Sequence, residues 1–280
     1  MIVNPVLAKE LRDRVRTWRS PLMITMYLGV LAGVSGLYFY LETRYNYGGT
    51  QALRLGVNIF TILSILQLGL IAVLTPGMTA AIISGERERQ TLPLLQVTRL
   101  SSFSIVIGKL LSAISYIVFL ILISMPIYSL AFLFGGVAMK ELLLVILITL
   151  VTTVTLAAIG LFCSALFKRT TTAIIISYLI TLFIFVGTLI SAELFKLLTR
   201  ESWIGKNPPI PFIVNFSPLV AFGSAFPFGR QFVPYASRDL VNQIPAWQIN
   251  FLLDALIMAV ALGLTVWFIH PLRAGNKKGG

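Results

Sequence analysis

Six long runs of apolar residues dominate this chain, at about residues 22–41, 57–83, 105–134, 142–167, 173–195 and 247–269. A helix rises ~1.5 Å per residue, so roughly 20 apolar residues cross a ~30 Å hydrocarbon core, and each run reaches that length. Short polar stretches separate the first five runs, and a longer one, residues 196–246, precedes the sixth. The pattern predicts an all-α integral membrane protein with six transmembrane helices forming a single domain over residues 1–280.

A different periodicity occupies residues 4–20. Asn4 and Pro5 suit a helix cap and first turn. Leu7, Leu11, Val15 and Trp18 then fall within roughly 80° of one another at ~100° per residue. Lys9, Arg12, Arg16 and Arg19 share the opposite face, and Arg14 breaks the pattern. This predicts an amphipathic helix lying in the membrane interface, with Trp18 on its apolar side. With about 20 charged, helix-forming residues ahead of it and no small-residue cleavage site, the first apolar run reads as a retained helix, not a signal peptide.

Composition fits the same picture. The chain is 57% hydrophobic and 11% charged, which excludes an ordinary soluble domain. Its net charge of +12 is unevenly placed. Basic residues precede the first run, lie between the second and third (Arg87, Arg89, Arg99, Lys109), join the fourth and fifth (Lys168, Arg169) and end the chain. The opposite short loops carry only Arg44, Arg54 and Lys140. Both termini are therefore expected in the cytoplasm, with anionic lipid headgroups as the partner for this charge and no role for nucleic acid. The expected location is the cell membrane, crossed several times. Cys163 and His270 are single residues of their types, so no disulfide framework and no His/Cys metal site is expected.

Several polar positions interrupt the apolar runs. Thr149, Thr153, Ala157, Gly160 and Ser164 share one face of the fourth, and Ser177, Thr181, Thr188 and Ser191 one face of the fifth. Small faces of this kind permit close helix contact and hydrogen bonds across helices, and they also suit a substrate path. Asn58, Thr61, Ser64 and Gln67 mark the outer half of the second run, where packing and a pathway wall are both open readings; Pro76-Gly77 predicts a kink near its inner end. Asp254 is the only carboxylate well inside a run, about one turn beyond Asn250. An Asp at mid-membrane costs roughly 2.5–3.5 kcal/mol on insertion scales, so it is expected to face protein or water. An Arg or backbone partner from the 5–6 segment, or a substrate or gate contact, are the two readings. Residues 196–246, rich in Pro and Phe, predict re-entrant or interface-lying short helices on the outer side.

No Gly-x-x-x-x-Gly-Lys-Ser/Thr phosphate loop is present, and no nucleophile–base pair is visible. The polar linker, residues 84–102, opens Ser84-Gly-Glu-Arg-Glu-Arg-Gln-Thr-Leu92 and continues through Leu94–Thr98, Leu100-Ser101 and Ile105-Val-Ile-Gly-Lys109. Together with the basic start Asn4–Arg12 and six helices with both ends inside, these residues resemble the membrane subunit of an ABC-2 type ABC transporter. Pro93 and Arg99 stand where that family usually has Glu and Pro.

The resemblance implies a permease without catalytic residues, in which residues 84–102 hold a coupling helix that docks on a separate ATPase subunit. Gly85, Glu86, Arg87, Glu88 and Arg89 would supply its polar part, and Leu92, Leu94 and Leu95 its apolar packing. It also implies a dimer with a second permease copy or a related permease. ATP and Mg would be bound by the partner ATPase and no cofactor by this chain. The function expected is an ATP-driven exporter that moves its cargo along the dimer interface. Lipid, peptide and amphipathic drug all suit its walls. A stand-alone carrier or channel, and a membrane assembly factor, are the alternatives.

Overall fold

The computed structural model describes residues 19–45, 52–90, 102–198, 212–226 and 245–269. Residues 4–18 of the expected interfacial helix, with Leu7, Lys9, Leu11, Arg12, Val15, Arg16 and Trp18, lie outside them, as do Leu92, Leu94 and Leu95, while Arg19 and Ser20 open the first described helix. The described residues contain no strand and are almost wholly helical.

The chain runs through α1 (Arg19–Tyr45), α2 (Ala52–Thr79), a short α3 (Ile82–Glu88), α4 (Ser102–Ile123), α5 (Met125–Phe134), α6 (Met139–Leu166) and α7 (Thr170–Leu182). A π-helical turn (Phe183–Gly187) leads into α8 (Thr188–Leu198). After a 3-10 turn (Phe212–Phe216) come α9 (Pro218–Ala225) and α10 (Ala246–Ile269). These elements make six stretches long and apolar enough to cross a membrane.

The breaks inside the spans have local causes. Pro126 follows Ser124 at the start of α5 and cannot donate a backbone hydrogen bond, so the third span divides there. The fifth span carries an extra residue per turn at Phe183–Gly187. In the second span, α2 continues through Pro76, and the interruption comes at Ala80–Ala81. Tyr178 of α7 donates to the Val73 carbonyl at 2.8 Å, a contact from a neighbouring helix next to the proline.

The sixth element, α6, occupies the centre and touches α2, α3, α4, α7, α9 and α10. Its composition explains this. Thr149, Thr153, Ala157 and Ser164 are all fully buried, and a Cβ on Gly160 would collide with Thr79 Oγ1 of α2 and lie 3.0 Å from its Cβ. A small-residue stripe therefore lets two helix backbones approach closely.

The hydroxyls on these stripes mostly do something other than bridge helices. Thr153 donates to Thr149 O, Thr181 to Ser177 O and Thr188 to Ile184 O, each within its own helix. A Ser or Thr hydroxyl can reach the carbonyl four residues back, which hides its polarity where no partner helix presents an acceptor.

Aromatic rings fill the core between α2, α5 and α9. Phe60 meets Tyr128 edge-on at 5.8 Å and Phe226 at 6.1 Å between centroids, and Phe222 packs on Phe226 at 5.3 Å. The Phe212–Phe216 turn and α9 pack against α10, with Val214, Val220, Ala221 and Phe222 buried. This accounts for the apolar richness of the 5–6 connection: its described part lies folded against the spans.

Candidate functional site

The Gly85–Arg89 cluster sits on α3 and the turn that follows it, and its charges are used within the chain. At the start of α3, the cap position is Ala81, which has no side-chain oxygen. Ser164 of α6 takes that role instead: its Oγ accepts from the Ile83 and Ser84 amides at 2.8 and 2.9 Å. Gly85 leaves room beside Thr170.

Three consecutive charges then reach three different places. Glu86 Oε1 accepts from Lys109 Nζ of α4 at 2.6 Å, with the lysine side chain 3% exposed and the glutamate 26%. Arg87 donates to the Ala165 and Phe167 carbonyls at 3.0 and 3.3 Å, at the C-terminal end of α6. Glu88 accepts from the Thr170 amide and hydroxyl at 2.8 and 2.7 Å, at the N-terminal end of α7.

The signs suit the places. Helix C-termini present unpaired carbonyls and attract cations, while N-termini present unpaired amides and attract carboxylates. The alternating charges therefore bind α3 to the second turn of α4 and to the ends of α6 and α7 as a collar. Arg89 is exposed beyond it.

Sequence reading singled out the charged cluster but not Lys109, Ser164 or Thr170 as its partners. Lys109, seven residues into an apolar helix, was the one available signal, since a buried ammonium calls for a counter-charge. The others stand about 80 positions away in the chain and have no local signature.

The polar residues of α2 divide into two groups. Asn58 is half-buried and donates to Tyr38 of α1 at 2.9 Å. Thr61, Ser64 and Gln67 are buried; the first two bond back to Val57 O and Phe60 O, while Gln67 Oε1 accepts from Tyr128 of α5. Ser177 and Thr181 are buried on α7. Asn58 and Gln67 thus join helices, Thr61, Ser64 and Thr181 bond within their own, and none of these positions lines the groove described next.

Asn250 and Asp254 lie one turn apart on α10, 1% and 4% exposed. The expected backbone contact with the 5–6 segment is made by Asn250, whose Nδ2 donates to Asn215 O at 2.8 Å. Asp254 has no such bond, and its Oδ2 has no hydrogen-bond partner among the described residues. Asp254 lines a groove of about 370 Å³ between α6 and α10, bordered by Leu150, Val151, Val154, Phe251 and Met258. Among the described residues no cluster of His, Cys, Asp and Glu has the makings of a metal site.

Comparison with known proteins agrees with this architecture. Residues 4–270 match the family model described as ABC-2 family transporter protein. No curated protein matches the chain significantly. The match spans nearly the whole sequence and coincides with six membrane-capable helices, so the chain belongs to the ABC-2 family of transporter proteins, membrane components that carry no ATPase of their own.

Proposed function

We propose that this chain is the transmembrane subunit of an ATP-driven exporter, driven by a separate ABC ATPase that binds ATP and Mg and docks against the segment containing α3. The observation that carries the reading is the collar. Glu86, Arg87 and Glu88 tie α3 to three spans, so a push on α3 moves α4, α6 and α7 together. Packed interfaces respond to small displacements as rigid bodies, which makes such an element suited to passing movement into the membrane. The basic bias puts this end of the bundle in the cytoplasm, where the ATPase is found. Leu92, Leu94 and Leu95 complete the docking surface, residues 4–20 lie in the inner interface, and a second permease copy or a relative completes the translocation path. Asn58, Thr61, Ser64, Gln67, Ser177 and Thr181 then serve as polar positions that rearrange as the helices move, and Asn250 and Asp254 face the cargo.

Docking and transmission separate experimentally. Arg89 is exposed and outside the collar, so Arg89→Glu is expected to lower co-purification of the ATPase at least about fivefold through like-charge or lost-charge contacts. Lys109→Met, buried within the collar, is expected to keep the partner bound while uncoupling its ATP hydrolysis from the permease. Normal capture and normal coupled hydrolysis in both variants would overturn the coupling role.

A further inference from the structure

The groove between α6 and α10 combines apolar walls with one carboxyl that has no counter-charge among the described residues. Val151 and Val154 of α6 and Phe251 and Met258 of α10 border it, and among the described residues Asp254 is its sole ionisable lining residue. Thr155, the other polar residue there, has its hydroxyl committed to Val151 O at 3.0 Å. Asp254 lies eight residues into α10, about 12 Å along the helix, and so well inside the hydrocarbon core. Among the described residues its Oδ2 is buried without a partner, and one turn earlier Asn250 Oδ1 is also unpartnered.

A carboxyl in this setting either holds its proton or, when ionised, calls for a counter-charge, which a cation entering the groove would supply. A bare metal ion fits poorly, because divalent cations require several oxygen ligands and the groove supplies one free acceptor side chain. Its volume of about 370 Å³ is that of a small-molecule site, and Leu147 on its rim is 46% exposed on the flank of the bundle. Charge and wall chemistry together favour an organic cation with an apolar body.

We propose that the α6–α10 groove binds a cationic amphiphile, its hydrocarbon body along Leu150, Val151 and Val154 and its ammonium head on Asp254. The inference deepens the exporter reading by naming a cargo class, and it rests on that reading for transport. Binding itself is measured on the permease without any ATPase.

The test is saturable binding of tritiated dodecyltrimethylammonium to the purified full chain in phosphatidylcholine nanodiscs, with empty nanodiscs subtracted. Its neutral isostere, with a quaternary carbon in place of nitrogen, is measured in parallel. Binding of the cation is expected to weaken about tenfold or more in Asp254→Asn, the scale of a lost Coulombic contact in a site of low dielectric, and to persist in Asp254→Glu. The isostere should show little saturable binding to either form. If Asp254→Asn does not yield a monodisperse protein, Val151→Trp keeps the carboxyl and fills the groove, and it should abolish binding. Equal binding of cation and isostere, unchanged binding in Asp254→Asn or Val151→Trp, or no saturable binding to the wild type would each overturn the proposal. A missing ATPase partner would sink the exporter reading while leaving this binding result untouched.

Discussion

Lys109 shows how one side chain can govern the inner end of the bundle. Its ammonium is buried two turns into an apolar helix, with the Glu86 carboxylate 2.6 Å away. Removing one member of a buried pair leaves the other charge uncompensated, which typically costs 3–5 kcal/mol. Glu86 keeps some contact with solvent, so Lys109→Met is expected to cost less, about 1–3 kcal/mol. Thermal unfolding of the purified variant reads this, and Glu86→Gln added to Lys109→Met should recover part of it. An unchanged melting temperature in Lys109→Met would mean that the pair does not hold the collar. Tyr128 sets a milder case. Its hydroxyl donates to buried Gln67, so Tyr128→Phe strands an amide acceptor at about 0.5–2 kcal/mol. Gln67→Leu in the same background should relieve that loss; a double variant less stable than Tyr128→Phe would contradict the assignment.

At the scale of elements, the contact between α2 and α6 turns on Gly160. An added Cβ there meets Thr79, whereas at Gly263 of α10 it meets nothing within 4 Å. Both changes to alanine gain helix propensity of up to ~1 kcal/mol. Gly263→Ala should therefore be neutral or stabilising, while Gly160→Ala is expected to lose about 1–3 kcal/mol through overpacking. Equal effects at the two sites would show that close approach at Gly160 carries no weight. The stripe holding Gly160 was legible in the sequence because small residues recur on one helical face. What its hydroxyls bond to was not, since return to the helix's own carbonyls and reach to a neighbour have the same spacing. The π-helical turn at Phe183–Gly187 was also illegible, because it lies within an unbroken apolar run, whereas Ser124 and Pro126 marked the division of the third span and hydropathy alone passed over them. Pro76 lies inside α2, which runs on to Thr79, and the regular helix breaks at Ala80–Ala81.

For the whole molecule, bilayer thickness is why so much could be read directly. A fixed ~30 Å core imposes a minimum length on every span, and six runs met it. The functional surfaces were only half visible. Charges at Glu86–Glu88 stood out, yet their targets at Ala165, Phe167 and Thr170 exist only once distant helices come together. Orientation is open to direct measurement. Lys140 and Lys168 are exposed at opposite ends of α6, and Cys163 is buried. With a membrane-impermeant maleimide, Lys168→Cys should react only from the cytoplasmic side and Lys140→Cys only from outside, and the reverse pattern would invert the topology.

The central claim is that a separate ATPase drives this chain, and co-purification from native membranes in gentle detergent tests it most directly. The expected result is a stoichiometric partner bearing a phosphate-binding Gly-x-x-x-x-Gly-Lys-Ser/Thr loop, identified by mass spectrometry, retained by Lys109→Met and depleted by Arg89→Glu. A stable, monodisperse preparation that carries no such ATPase would contradict it and return the chain to the class of stand-alone carriers.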